Sequence, residues 1–195
     1  MYSKRFILLN SIALFVLAWI IAACFRVRQP EPPITQSDWN TPIEPAILIE
    51  NFRKSVVTLN LNNYERCFAS GVFRFLPDPT VARNNTGLFS RWTLQEELEY
   101  MKNIQAVSLQ VNGNQFQLSN IRNNFITIDS VEYIADYNLT VFHQDTSYKN
   151  FSFNGNMIVY LRRNLFNEWE IAQWQDQSNS EKPCWTELKE KFSTN

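Results

Sequence analysis

One histidine, His143, stands in the entire 195-residue sequence, and no cysteine or carboxylate lies near it at the spacing of a metal-ligand set. A metal site is therefore not expected. Glycine is nearly as scarce, with four residues. No glycine-rich loop is present to cradle a phosphate, and neither a nucleophile elbow nor a zincin pair occurs, so no cofactor is expected and the common hydrolase chemistries lack their signatures. Clustered positive charge is also missing. The formal net charge is −1 and no basic run exceeds Arg162-Arg163, whereas chains that track a phosphate backbone concentrate positive charge on one face. Nucleic acid is not an expected partner.

What is present is an aromatic-rich composition, 14% Phe, Trp and Tyr, on a length suited to one domain that buries roughly 70% of its unfolded surface. The N-terminus has a different grammar. Lys4 and Arg5 precede an apolar run from Phe6 to Ala23, interrupted only by Asn10 and Ser11, which is the pattern of a secretory signal. The run ends Ile21-Ala22-Ala23-Cys24 and is similar to the bacterial lipobox, in which the thiol of the Cys receives diacylglycerol before cleavage. That resemblance makes residues 1–23 a lipoprotein signal peptide and Cys24 the lipidated first residue of the mature chain. An uncleaved anchor is the rival reading, because about 18 apolar residues can just span a bilayer and Arg26 and Arg28 follow at once. Plain secretion is the third. All three export the domain, and the lipidated reading places it in the cell envelope, at the periplasmic face of a membrane or the cell surface. With Cys24 lipidated, Cys67 and Cys184 remain, an even pair that an oxidising compartment permits but does not require to form a disulfide.

Residues 24–40 carry Pro30, Pro32 and Pro33 and read as an extended tether. Residues 41–195 are the domain. Thr41-Pro42-Ile43-Glu44 predicts a helix start, and Ile49, Phe52, Val56 and Leu59 give that helix an apolar stripe. Tyr64, Cys67 and Phe68 suggest a second short helix beyond an Asn62-Asn63 break. Val72–Leu76 predicts a short strand running into a long loop, and Thr93-Leu94-Gln95-Glu96 announces a third helix with Leu94, Leu98 and Met101 on one face. Asn112-Gly113 predicts a hairpin between strands 107–111 and 115–121. Val131 to Val141 and Phe151 to Leu161 alternate as half-buried strands, 163–167 is a turn, Trp169–Trp174 is the last strand, and Trp185, Leu188 and Phe192 mark a C-terminal helix.

Helices first, then one strand, a helix and a run of antiparallel strands make an α+β domain with helices packed on a strongly bent, mainly antiparallel sheet. That order resembles the nuclear transport factor 2-like superfamily, the cystatin-like α+β cone whose branches include SnoaL-like proteins. The likeness rests on Tyr64–Phe68 followed by Phe73–Asp78, on Gly155–Leu161 with Glu168–Asp176, and on Trp185-Thr186-Glu187-Leu188-Lys189. It covers residues 41–192. Enzymes of this superfamily place an acid, a His or a Tyr inside the cone, which implies Asp78 or Asp176 as an interior carboxylate for an isomerase- or hydrolase-type reaction. His143 reads as solvated at a turn. Tyr64, Tyr133, Tyr137 and Trp174 fall where rings can wall a pocket, and the leading expectation is a non-catalytic domain that binds a small apolar molecule or an envelope protein, with a homodimer through the exposed sheet face as a third reading.

Replacing the thiol tests the anchor. Cys24→Ser is expected to abolish incorporation of radiolabelled lipid and release the domain from membranes, whereas retained labelling and retention in that variant contradict the assignment.

Overall fold

The computed structural model describes residues 38–193 except 86, 110–112, 147, 150 and 180. The signal segment, Cys24 and most of the tether lie outside the described residues, and no described helix is long and apolar enough to cross a membrane. The described residues belong to one compact unit.

Helix α1 spans Pro45–Thr58, so it starts later than Thr41-Pro42 predicts. The carbonyl of Pro42 accepts a hydrogen bond from Trp169 N at 2.7 Å, which keeps residues 41–43 alongside the sheet. Pro45 then takes the first helical turn, where its missing N–H costs nothing. Leu59 ends the helix in the left-handed region, φ 52°. Asn60 caps the short helix α2, Leu61–Arg66, by accepting from Asn63 N at 3.0 Å. The break therefore falls at Leu59-Asn60, and Asn62-Asn63 lies inside the second helix. Strand β1 is Arg74–Leu76. The loop expected after it contains a helix, α3 at Pro79–Asn84, capped by Asp78.

Helix α4, Leu94–Val107, carries the predicted capping box: Thr93 accepts from the first turn, and Glu96 Oε2 accepts from Thr93 N at 2.8 Å. The hairpin expected at Asn112-Gly113 does not form between the predicted strands. The helix continues through Val107, Ser108 bridges to His143, and Leu109 N donates to Phe142 O at 2.8 Å. Gly113 does occupy the left-handed region, φ 60°, but its turn leads from helix to sheet; Asn112 is outside the described residues. Strand β2, Gln115–Thr127, pairs instead with β3, Ser130–Thr140, and β3 pairs with β4, Ser152–Arg163. Strand β5, Trp169–Gln177, pairs antiparallel with β4 and parallel with β1, giving the order β1-β5-β4-β3-β2. Bulges at Ser119/Arg122 and Tyr160/Leu161 bend the strands.

The predicted alternation holds on the concave face. Val131, Tyr133, Ala135, Tyr137 and Leu139 of β3 are buried, as are Phe153, Met157, Val159 and Leu161 of β4. Helix α1 and helix α5, Trp185–Ser193, close over that face. Phe52 sits at the meeting point, with the rings of Trp174, Tyr64 and Trp185 at 5.5, 5.6 and 6.1 Å.

The two threonines offered as caps should behave differently. Thr93→Ala is expected to cost about 1 kcal/mol through loss of the capping box, and Thr41→Ala, an exposed residue that caps nothing, to stay within about 0.5 kcal/mol of wild type; urea midpoints measure both.

Candidate functional site

Two carboxylates, Glu97 and Asp176, are fully buried in the interior of the cone, and helix α5 meets both. Glu97 falls on the inward stripe of α4 with Tyr100, Met101 and Ile104, and its side chain is fully buried. Its Oε1 accepts from Tyr64 Oη at 2.6 Å and its Oε2 from Trp92 Nε1 at 2.7 Å. Both oxygens also receive the Lys189 ammonium, itself fully buried on α5. Lys189 Nζ lies 3.9 Å from the centroid of Trp174 and 4.0 Å from that of Phe75, with Tyr100 and Trp92 slightly further out. Four negative ring faces thus surround one cation. Burial pushes the Lys189 ammonium down to about 8, against the opposing pull of the Glu97 charge and hydrogen bond. Burial and the same Glu97 charge hold the Tyr64 hydroxyl well above its ordinary range.

The second carboxylate is Asp176, fully buried on β5. Its Oδ1 accepts from Tyr137 Oη at 2.7 Å, and its Oδ2 accepts from Thr186 N and Thr186 Oγ1, both at 2.7 Å. Tyr137 Oη accepts in turn from Trp185 N at 2.6 Å. The first turn of α5 therefore donates free amides to Tyr137 Oη and to the Asp176 carboxylate, the latter as helix N-termini favour. Burial pushes the Asp176 carboxyl up, and the Thr186 and Tyr137 hydrogen bonds oppose that shift. Gly155 makes the geometry fit. It lies opposite Tyr137, and a Cβ there would come within 2.6 Å of both Tyr137 Oη and Gln177 O. Thr186 and Lys189, three residues apart, stand on one face of α5, so a single helix face plugs both acids.

Asp78 lies elsewhere in role. Its Oδ1 accepts from Thr80 N and Val81 N and its Oδ2 from Ser178 N. Burial opposes its ionisation, but these amides outweigh it and keep the carboxyl below its usual range. It caps α3 and ties that helix to the end of β5. His143 is buried, not solvated at a turn: its ring packs with Tyr148, Phe151 and Phe192 at 5.9, 4.9 and 5.2 Å. Pairing continues past β3 through the Ser108 bridge, which carries His143 into the core. Cys67 and Cys184 are free and buried, so the permitted disulfide is not formed; burial pushes both thiols up, that of Cys184 to about 12.

The four aromatic residues expected to wall a pocket do not converge on one described cleft. Tyr64 and Tyr137 spend their hydroxyls on Glu97 and Asp176, and Trp174 faces the Lys189 cation. Tyr133 borders a cleft of about 590 Å³ between α1 and β2, and Tyr137 touches another of about 480 Å³ lined by residues of β2, β3 and β4 with Asn179 and Lys182. A further cleft, about 510 Å³, lies between α2, β1 and α4. Leu61, Phe73, Leu94 and Leu98 line it, with Arg74 and Lys102 at the same opening. None of the four described clefts is lined by Glu97, Asp176 or Lys189. Among the described residues no three His, Cys, Asp or Glu side chains gather as a cation site requires.

No family model and no curated protein matches this chain. Solved structures do resemble it. A candidate scytalone dehydratase from Novosphingobium aromaticivorans is 9% identical over 68% of this chain and 80% of its own, with a TM-score of 0.55. A nuclear transport factor 2-like protein of unknown function in nutrient uptake from Rhodospirillum rubrum is 13% identical over 70% of this chain and 99% of its own, at 0.54. A type 2 hexachlorocyclohexane dehydrochlorinase is 11% identical over 68% and 81%, at 0.50. At such identities the likeness concerns the fold, and it bears out the α+β cone expected from the order of elements.

Breaking the buried pair on one side should be worse than removing it. Lys189→Met is expected to destabilise by about 3–5 kcal/mol because Glu97 is left as an uncompensated buried charge, and adding Glu97→Gln should restore much of that loss; chemical denaturation of the two variants decides it.

Proposed function

We propose that this chain is an envelope lipoprotein, held at a membrane through Cys24, whose cone domain binds a small apolar molecule and is not a catalyst. The observation that carries the second half is the state of the interior acids. A general acid or base must reach the proton it moves, directly or through one water. Asp176 and Glu97 are fully buried, every carboxylate oxygen accepts from a side chain or amide of the chain itself, and neither borders a described cleft.

Recognition then belongs to the surface. The cleft between α2, β1 and α4 has the character of a small-molecule site, mostly apolar with a few polar groups at its mouth. Leu94 and Leu98 are half-buried on the outer side of α4 and form its floor. Arg74, Glu99 and Lys102 put both signs of charge around it, which suits a ligand that carries a polar end on an apolar body.

Native mass spectrometry of the protein extracted from its own membranes is expected to show a co-purifying small molecule, and Leu98→Arg should lower the retained fraction roughly tenfold by filling the cleft with charge. A chain that retains nothing, yet performs an elimination or hydrolysis abolished by Asp176→Asn with the fold intact, contradicts the proposal.

A further inference from the structure

Two turns and the start of the domain come together at one end of the sheet. The β2–β3 turn follows Thr127, which pairs with Ser130, and Ser130 pairs with Arg162 at the close of β4. The β4–β5 turn follows directly, between Arg163 and Trp169. Arg163 N donates to Asp129 O at 3.0 Å, joining one turn to the other. Pro42 O accepts from Trp169 N at 2.7 Å, which fixes the N-terminal segment of the domain to the same end.

That end is apolar where it is most exposed. Ile128 is 83% exposed, Leu165 102%, Phe166 83% and Ile43 58%. Single exposed apolar residues are ordinary, but several gathered at one place mark an interaction site. The neighbouring arginines are engaged within the chain, since Arg162 pairs with Glu170 and Arg163 lies 3.7 Å from Asp129, while Glu44 and Glu168 flank the tips.

We infer that these apolar tips, Ile43, Ile128, Leu165 and Phe166, insert into the lipid surface to which Cys24 tethers the chain. The inference rests on the lipoprotein reading above. Residues 25–37, thirteen in number, separate the lipidated Cys from the first described residue. Fully extended they span at most about 45 Å, so the bilayer stays within reach of the end where the chain joins the sheet. Insertion of aromatic and aliphatic tips beside a covalent lipid supplies a second membrane contact. Projecting turn residues with almost no protein neighbours suit penetration of a fluid interface better than seating in a preformed pocket. Because the nearby arginines are engaged, insertion is independent of anionic lipid.

The test uses the mature lipidated protein in neutral phosphatidylcholine vesicles, with an environment-sensitive fluorophore on Leu165→Cys or, as control, on Asn138→Cys, an exposed site at the other end of β3. Cys67 and Cys184 are buried and should not compete for label. Quenching by spin-labelled lipid is expected to be roughly threefold or more stronger at residue 165 than at 138, and the signal at residue 165 is expected to fall to the control level when the same protein also carries Phe166→Asp. An unquenched tip on protein whose intact mass includes the lipid overturns this inference alone. Energy transfer between labelled copies in place of lipid quenching also overturns it and assigns the tips to a second copy. An intact mass lacking the lipid removes the lipoprotein reading and this inference together.

Discussion

A carboxylate or ammonium inside a protein is tolerable only when its lone pairs and protons are met by other groups, and the architecture of this domain is arranged around meeting that condition. Glu97 takes Tyr64, Trp92 and Lys189; Asp176 takes Tyr137 and Thr186. Two of those five partners come from α5, one from each side of the network. The C-terminal helix is therefore bound to the cone by polar contacts at fixed positions as well as by the burial of Trp185, Leu188 and Phe192. Apolar burial stabilises a helix on a sheet without choosing its register, whereas a lysine that must find one carboxylate and a threonine that must find another leave little freedom of placement.

The same arrangement bears on function. In a cone whose interior acids face an open cavity, burial tunes their ionisation for proton transfer. Here both acids are bonded to side chains and amides of the chain itself, and the rings of Trp174 and Trp185 meet edge to face at 4.5 Å beside them. The exposed features are a cleft against α4 and a row of apolar tips where the chain joins the sheet. A shared fold does not by itself carry an activity, so function rests on what these particular side chains present.

Much of the fold was legible in the residues because each signal had a local cause. The alternation from Val131 to Leu139 and the Thr93 capping box depend on neighbours within a few residues. Errors arose where long-range contacts decided. Thr41-Pro42 reads as a helix start, yet the pairing of Pro42 with Trp169 postpones the helix to Pro45. The Asn112-Gly113 signal was overruled by pairing of residues 108–109 with 142–143. Asp78-Pro79 carries the same cap-plus-proline signal as Thr41-Pro42, and it opens α3 inside the loop expected after β1. The ion pair had a readable trace: Glu97 and Lys189 both interrupt apolar helical stripes, and opposite charges on two inward faces are a reason to join them. Gly155, alone in a strand interior, marked the close approach of Tyr137. What no pattern could give was that these groups saturate one another, because that depends on distances between elements far apart in sequence.

The central claim is that the buried acids hold α5 in place permanently and so keep the interior closed. Amide hydrogen exchange measures this directly, since local opening and global unfolding differ in free energy. The amides of Trp185 and Thr186, which donate to Tyr137 and Asp176, should exchange only as slowly as the most protected amides of β3 and β4. Rapid exchange at those two positions while β3 and β4 stay protected would mean that α5 is a lid over an accessible interior, and would contradict the account.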